Sequence, residues 1–163
     1  MSIPASQSTE SVGRPELIVV ETRAAETSDL EPFAVAVQRR DHITIVQPRG
    51  ELDIATVEPL RTTLDAAVTE TLRATLDGFE SAARMVLDLR GLTFIDSTGL
   101  HLLVALEQRA QRDGFLLSLV APAGPVARAI QLCGLDQILP LATPDDALDG
   151  EPSEGRFRRQ RAS

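Results

Sequence analysis

The sequence contains no lysine, no tryptophan and no tyrosine, and it has a single cysteine. Without lysine, neither a Schiff-base enzyme nor a P-loop nucleotide site can be built. Aromatic residues make up 3% of the chain, all of them phenylalanine, which argues against a stacking platform for single-stranded nucleic acid. One cysteine cannot form an intrachain disulfide, which fits a reducing compartment. No apolar run approaches the ~18 residues of a membrane span, and no signal-type apolar stretch follows Met1. Both observations predict a cytoplasmic chain without a membrane span. Neither glycine-rich phosphate motif occurs. The two histidines, His42 and His101, are far apart, and Cys133 stands alone as a small core hydrophobe. No spacing matches a zinc or calcium site, so no metal or other cofactor is expected.

What is present points to one α/β domain with two tails. The chain has 163 residues, 43% of them hydrophobic, and a net charge of −8, which makes nucleic acid and anionic membranes poor partners. Residues 1–32 are polar, with Glu10, Glu16, Glu21, Glu26, Asp29 and Glu31 against Arg14 and Arg23. They read as a flexible acidic arm. Within it, Leu17–Val20 is either an added edge strand or a sticky patch, and the patch is slightly favoured. Residues 150–163 form a second flexible tail carrying Arg156, Arg158, Arg159 and Arg161.

Residues 33–149 alternate strand and helix signals. Phe33–Gln38 and Ile43–Gln47 read as a β-hairpin, ended by Pro48-Arg49-Gly50. Thr56 is a good helix cap. Val57, Leu60, Leu64, Val68, Leu72 and Leu76 then fall at helical spacing, with a stop at Asp77-Gly78. Met85–Leu89 is an apolar run broken only by Asp88, as in a strand covered on both faces. A second helix runs from Asp96-Ser97 to about Asp113, with Gly99, Leu102, Leu103, Leu106 and Ala110 on one face. Phe115–Val120 is a strand, Val126–Cys133 a third helix, and Ile138–Leu141 a last strand. Thr143-Pro144-Asp145-Asp146 opens a fourth helix. The order β-β-α-β-α-β-α-β-α predicts a mixed, mostly parallel sheet with an N-terminal hairpin and helices packed on it.

Between two stretches made for burial sits a polar knot, Asp96-Ser97-Thr98-Gly99. Ser97 can cap the helix, Asp96 suits the positive end of its dipole, and Gly99 permits close packing on the sheet. Those roles alone account for the residues. The same place, at the carboxyl edge of an open α/β sheet, is also where ligands bind and where a hydroxyl is accessible to modification. A phosphate there would meet backbone N–H groups and a favourable dipole, so it would change the surface without melting the helix. A serine hydrolase would want G-x-S-x-G, and nothing orients His101 toward Ser97 as a base.

Three segments, GELDIATVEPLRTTL (50–64), VLDLRGLTFIDSTGL (86–100) and APAGPVARAIQLCGL (121–135), resemble the STAS domain of bacterial anti-sigma factor antagonists. The resemblance runs from about Phe33 to Leu148. It implies a STAS fold and a binding protein rather than an enzyme. The unphosphorylated form would bind an anti-sigma factor that is a serine kinase, and so release a sigma factor. Phosphorylation at Ser97 would block that binding, and a serine phosphatase would reverse it. The resemblance places Asp53, Asp96, Thr98, Gly99 and His101 on the partner-binding surface. His101 stands where the family usually has a small residue. The segment at about 69–83 is longer than the family pattern, and its extra apolar residues either cover the domain's own sheet or make a homodimer contact. A second reading is a STAS accessory subunit of a membrane lipid or anion transport system.

Overall fold

A computed structural model describes residues 17–20, 32–40, 43–76 and 83–149 of the chain. Asp41, His42, Asp77, Gly78 and Phe79, together with most of both tails, lie outside the described residues.

Chain order runs β1 (Leu17–Val20), β2 (Ala34–Arg40), β3 (Ile43–Leu52), α1 (Val57–Leu76), β4 (Arg84–Asp88), β5 (Leu92–Ile95), α2 (Ser97–Asp113), β6 (Leu116–Val120), α3 (Gly124–Leu132), β7 (Leu141–Ala142) and α4 (Pro144–Asp149). The sheet order is β1-β2-β3-β4-β6-β7, with β5 also paired to β3. β1–β2 and β2–β3 are antiparallel, while β3–β4, β3–β5, β4–β6 and β6–β7 are parallel. This is the expected mixed sheet opened by a hairpin, with two additional strands.

The first of these, β1, aligns Leu17 with Gln38 and Val20 with Val35. Leu17–Val20 is therefore an edge strand, and the preference for a patch in a flexible arm is corrected for these residues. The second, β5, depends on a longer β3. Pro48 does not end that strand. β3 lies against β4 through Ile43–Val46 and against β5 through Gly50–Leu52, and Pro48 falls in the interval between the two partners. A residue without an N–H costs least there. Gly50, at φ 95°, supplies the register shift that turns β3 from one partner to the other.

The helices follow the sequence pattern closely. Gly99, Leu102, Leu103, Leu106 and Ala110 are the buried residues of α2, and Gly114 ends it at φ 79°. In α1 the stripe Val57, Leu60, Leu64, Val68 is buried, but it fails at its end, where Leu76 is 85% exposed. Thr71 is buried instead, and its hydroxyl hydrogen-bonds Thr44 of β3 at 2.9 Å. The long segment after the first helical turns is thus, as far as Leu76, an extension of α1. α3 begins two residues earlier than expected and closes at Cys133, which is its exposed C-cap and not a core residue. The last strand starts only at Leu141. The Ile138 and Leu139 amides both donate to the Leu135 carbonyl, at 3.0 and 2.8 Å, and this tight turn holds them out of the sheet.

Alternation along the strands separates two cores. Val46, Met85, Leu87 and Leu119 face the layer formed by α1, α2 and α3. Ile45, Val86 and Val120 face the other way, toward Ala147 of α4. A fully buried leucine such as Leu87 or Leu103 contributes about 1.5–3 kcal/mol from burial.

Asp88 shares the α4 face. Gln38 donates to Gln47 at 3.1 Å, Gln47 donates to Asp88 at 3.2 Å, and Arg90 grips the carboxylate through Nε and Nη2 at 2.9 and 2.8 Å. Burial pushes the carboxyl up, but the Arg90 side chain, the Arg90 amide and Gln47 together outweigh it and hold the group below its ordinary value. A depressed carboxylate adds stability that is present above the unfolded value of about 3.9 and is lost as pH falls through the folded one. Urea melts between about pH 5 and pH 2 should therefore show a falling midpoint, and Asp88→Asn should flatten that fall.

Candidate functional site

β3 and β5 end side by side, with Leu52 opposite Ile95. Both chains then turn on the same edge of the sheet. The β3 exit forms the 53–56 turn into α1, and the β5 exit passes through Asp96 into α2.

Asp96 ties the two exits together. Its amide donates to the Leu52 carbonyl at 3.0 Å. Its Oδ1 accepts from the Thr98 amide at 2.8 Å, the Gly99 amide at 3.1 Å and the Thr98 hydroxyl, while its Oδ2 accepts from the Ile54 amide at 3.2 Å. The Thr98 hydroxyl acts most strongly, burial opposes it, and the Gly99, Thr98 and Ile54 amides add to it, so that the carboxyl is held below its ordinary value. An anion is thus fixed on the positive end of the α2 dipole. The cap of α2 is Asp96 and not Ser97, because the extended backbone at Asp96 aims its side chain at the first-turn amides. Asp96→Ala should lower the stability of the protein by about 1 kcal/mol in a denaturant melt, the usual cost of a lost N-cap.

The two hydroxyls of the knot are told apart by this network. Thr98 is half-buried and donates to Asp96. Ser97 is exposed, and the described residues make no hydrogen bond with its hydroxyl. His101, one turn along, is exposed, and its Nδ1 lies 2.7 Å from the Ser97 carbonyl oxygen. A carbonyl only accepts, so Nδ1 carries the proton there.

Gly99 is the contact point between α2 and the strand ends. A Cβ on it would lie 2.7 Å from Ile95 Cγ1 and 2.9 Å from Leu52 Cγ. The hydrogen bonds of the Asp53 side chain stay within its own turn. Its carboxylate accepts from the Ala55 and Thr56 amides at 2.9 and 3.1 Å, and the Thr56 hydroxyl donates to the Glu51 carbonyl at 2.7 Å. Asp53 therefore builds the turn that presents the Ile54 amide to Asp96, and Thr56 braces this turn. Asp96, Thr98, Gly99 and His101 surround Ser97 directly, and Asp53 supports them through one intermediate.

Two exposed apolar side chains at this corner were not singled out from the sequence. Ile54 is 77% exposed and Phe94 46% exposed. Ile54 sits in the turn bonded to Asp96, and Phe94 precedes Asp96 by two residues in β5. Strand alternation does not give either of them: from Leu92 to Ile95 β5 reads buried, exposed, exposed, buried, so Phe94 shares the parity of buried Leu92, and Ile54 lies two residues past buried Leu52 in the 53–56 turn.

Among the described residues, no group of three or more His, Cys, Asp or Glu side chains is placed to hold a metal ion, and no helix is long and apolar enough to cross a membrane.

The family model of the STAS domain matches residues 34–147. The chain belongs to the STAS family. The match spans β2 to α4 and contains the whole Ser97 corner. Among solved structures, this STAS domain is similar to an anti-sigma factor antagonist from Mycobacterium paratuberculosis, at 29% identity and a TM-score of 0.59, over 72% of this chain and 92% of that one. The unphosphorylated form of the anti-sigma factor antagonist SpoIIAA matches at 22% identity and a TM-score of 0.54, over 71% of this chain and 94% of that one. The phosphorylated form of SpoIIAA, a Bacillus cell fate determinant, matches at 21% identity and a TM-score of 0.50, over 71% and 97%. The last two likenesses establish the fold alone.

Proposed function

We propose that this chain is an anti-sigma factor antagonist whose binding is switched by phosphorylation of Ser97. It is a binding protein, not an enzyme, and it acts in the cytoplasm. In its unphosphorylated form it docks on an anti-sigma factor that is also a serine kinase, and the sigma factor is released. A phosphate on Ser97 ends the docking, and a serine phosphatase restores it.

The observation that carries this reading is the division of labour between the two hydroxyls. The Thr98 hydroxyl and the Asp96 carboxylate are committed to starting α2, whereas Ser97 presents its hydroxyl outward from the first helical position. A kinase can reach it without disturbing the cap. The added charge of about −1.5 to −2 would lie on the favourable end of the dipole, so the helix would stay formed. What would change is the face a partner sees, where Ile54 and Phe94 supply exposed apolar area. Charge placed in the middle of such a contact is costly to desolvate and meets the Asp96 anion. The likeness to the Mycobacterium antagonist supports the same reading.

The test is to incubate the protein with ATP and the anti-sigma kinase pulled down from the native host by the unphosphorylated chain. Mass spectrometry should locate one phosphate, on Ser97. Phosphorylation of a Ser97→Ala variant to the same extent would sink the proposal.

A further inference from the structure

We infer that His101 is the counter-group for a phosphate on Ser97, and that it favours the dianionic form of that phosphate. The inference rests on the phosphorylation of Ser97 proposed above.

His101 and Ser97 are four residues apart on α2, so they share a face of the helix. Side chains on a helix lean toward its N-terminus, which carries the His101 ring back over the first turn. The contact of 2.7 Å between Nδ1 and the Ser97 carbonyl fixes the ring there. With Nδ1 occupied as a donor, Nε2 remains, and no described residue bonds it. A phosphate on the Ser97 hydroxyl would extend from the same residue whose carbonyl already holds the ring.

The remaining charges leave this role open to His101. The charged side chains on the elements around this turn are Glu51, Asp53, Asp96 and Arg128, with Glu58 and Arg61 paired to each other in the first turns of α1, and Glu107, Arg109, Arg112 and Asp113 farther along α2. Asp53 and Asp96 are anions committed to backbone amides. Arg109 is bonded to Asp65 and Asp113. Imidazole and phosphoserine both exchange a proton within about one pH unit of 6.5. Bringing them together lets the proton move from the phosphate to the ring, and the resulting imidazolium–dianion pair gains a charge-assisted hydrogen bond.

The test uses the full chain with phosphoserine installed at position 97 during translation, so that no kinase is involved. A ³¹P NMR titration of that protein is compared with the same phosphoprotein carrying His101→Gln, which keeps a side-chain donor on this turn but cannot take up a proton. The phosphate of the His101 protein should titrate at least about 0.3 pH unit lower, a two-fold change in its acid constant. Superimposable curves would overturn the inference. So would a change in Tm with no change in the ³¹P curve, since His101 would then serve the helix alone. Failure of the host kinase to modify Ser97 would count against the phosphoswitch and leave the titration result standing, so the two failures are distinguishable.

Discussion

Ser97→Asp is expected to weaken binding to the anti-sigma factor by roughly 30- to 800-fold, while Ser97→Ala keeps wild-type binding and becomes insensitive to the kinase. The magnitude follows from placing an unpaired charge inside a contact, which costs about 2–4 kcal/mol. Two effects oppose each other at this position, and they act on different quantities. For the fold, an acid at the first position of α2 is favourable by up to about 1 kcal/mol, since it faces the amide end of the helix. For the complex, the same acid lies beside the Asp96 carboxylate, which is already held in its charged form. Calorimetry of binding and a melting curve on the same sample separate the two. Lost binding with an unchanged or slightly raised Tm is the signature of a recognition switch. Undiminished binding by Ser97→Asp would remove the switch, and lost binding with a lowered Tm would replace it by a damaged helix.

The parts of this molecule that were legible in the sequence are those governed by local rules. The face of α2 is set by helical spacing, and the buried set Gly99, Leu102, Leu103, Leu106 and Ala110 is the one the spacing predicts. Thr143 starts α4 as its sequence suggests, accepting from the Asp146 amide at 3.2 Å while its hydroxyl donates to the Asp146 carboxylate at 2.7 Å. What escaped depends on partners distant in sequence. Leu92–Ile95 is too short to declare itself as a strand, and its identity comes from pairing with Gly50–Leu52. Pro48 looks like a strand terminator until β3 is seen to change partners around it. Cys133 has the composition of a core residue, yet α3 ends one residue before it and turns it outward.

The candidate site shows the same division. Ser97 was found because a hydroxyl at a strand-to-helix junction has a physical consequence. The choice between Ser97 and Asp96 as the helix cap could not be made from sequence, because both residue types cap well. It is settled by the Leu52 carbonyl, which takes the Asp96 amide and sets the backbone that aims the carboxylate at α2. Asp53 was placed on the partner-binding surface by resemblance, and its hydrogen bonds brace the turn that delivers the Ile54 amide. Phe94 shares the parity of buried Leu92 in β5, so no strand pattern could have shown its exposure.

Gly99→Ala should destabilise the protein by about 1–3 kcal/mol, and Leu52→Ala by about 2–5 kcal/mol, yet the double variant should lose less than the sum. Alanine is the better helix former, by up to about 1 kcal/mol in a helix interior, so propensity alone would predict a gain at Gly99. Sterics decide the sign. The new Cβ would lie 2.7 Å from Ile95 Cγ1, and 2.9 and 3.0 Å from Leu52 Cγ and Cδ2. Leu52 is fully buried, and its Cγ lies on the branch of its side chain, so neither it nor the Ile95 carbon can swing aside as a flexible tip would. The first turn of α2 must therefore lift from the strand ends. That movement pulls against the bond from the Ile54 amide to Asp96 and displaces Ser97 with it. Removing the Leu52 side chain opens the space the methyl needs, which makes the two costs overlap. Denaturant melts of the four proteins in the cycle measure the coupling. Strict additivity would mean that Gly99 is tolerated for its backbone and not for this contact. A coupling of 0.5 kcal/mol or more in the compensating direction would show that the Ser97 corner is held in place by a glycine–leucine fit beneath it.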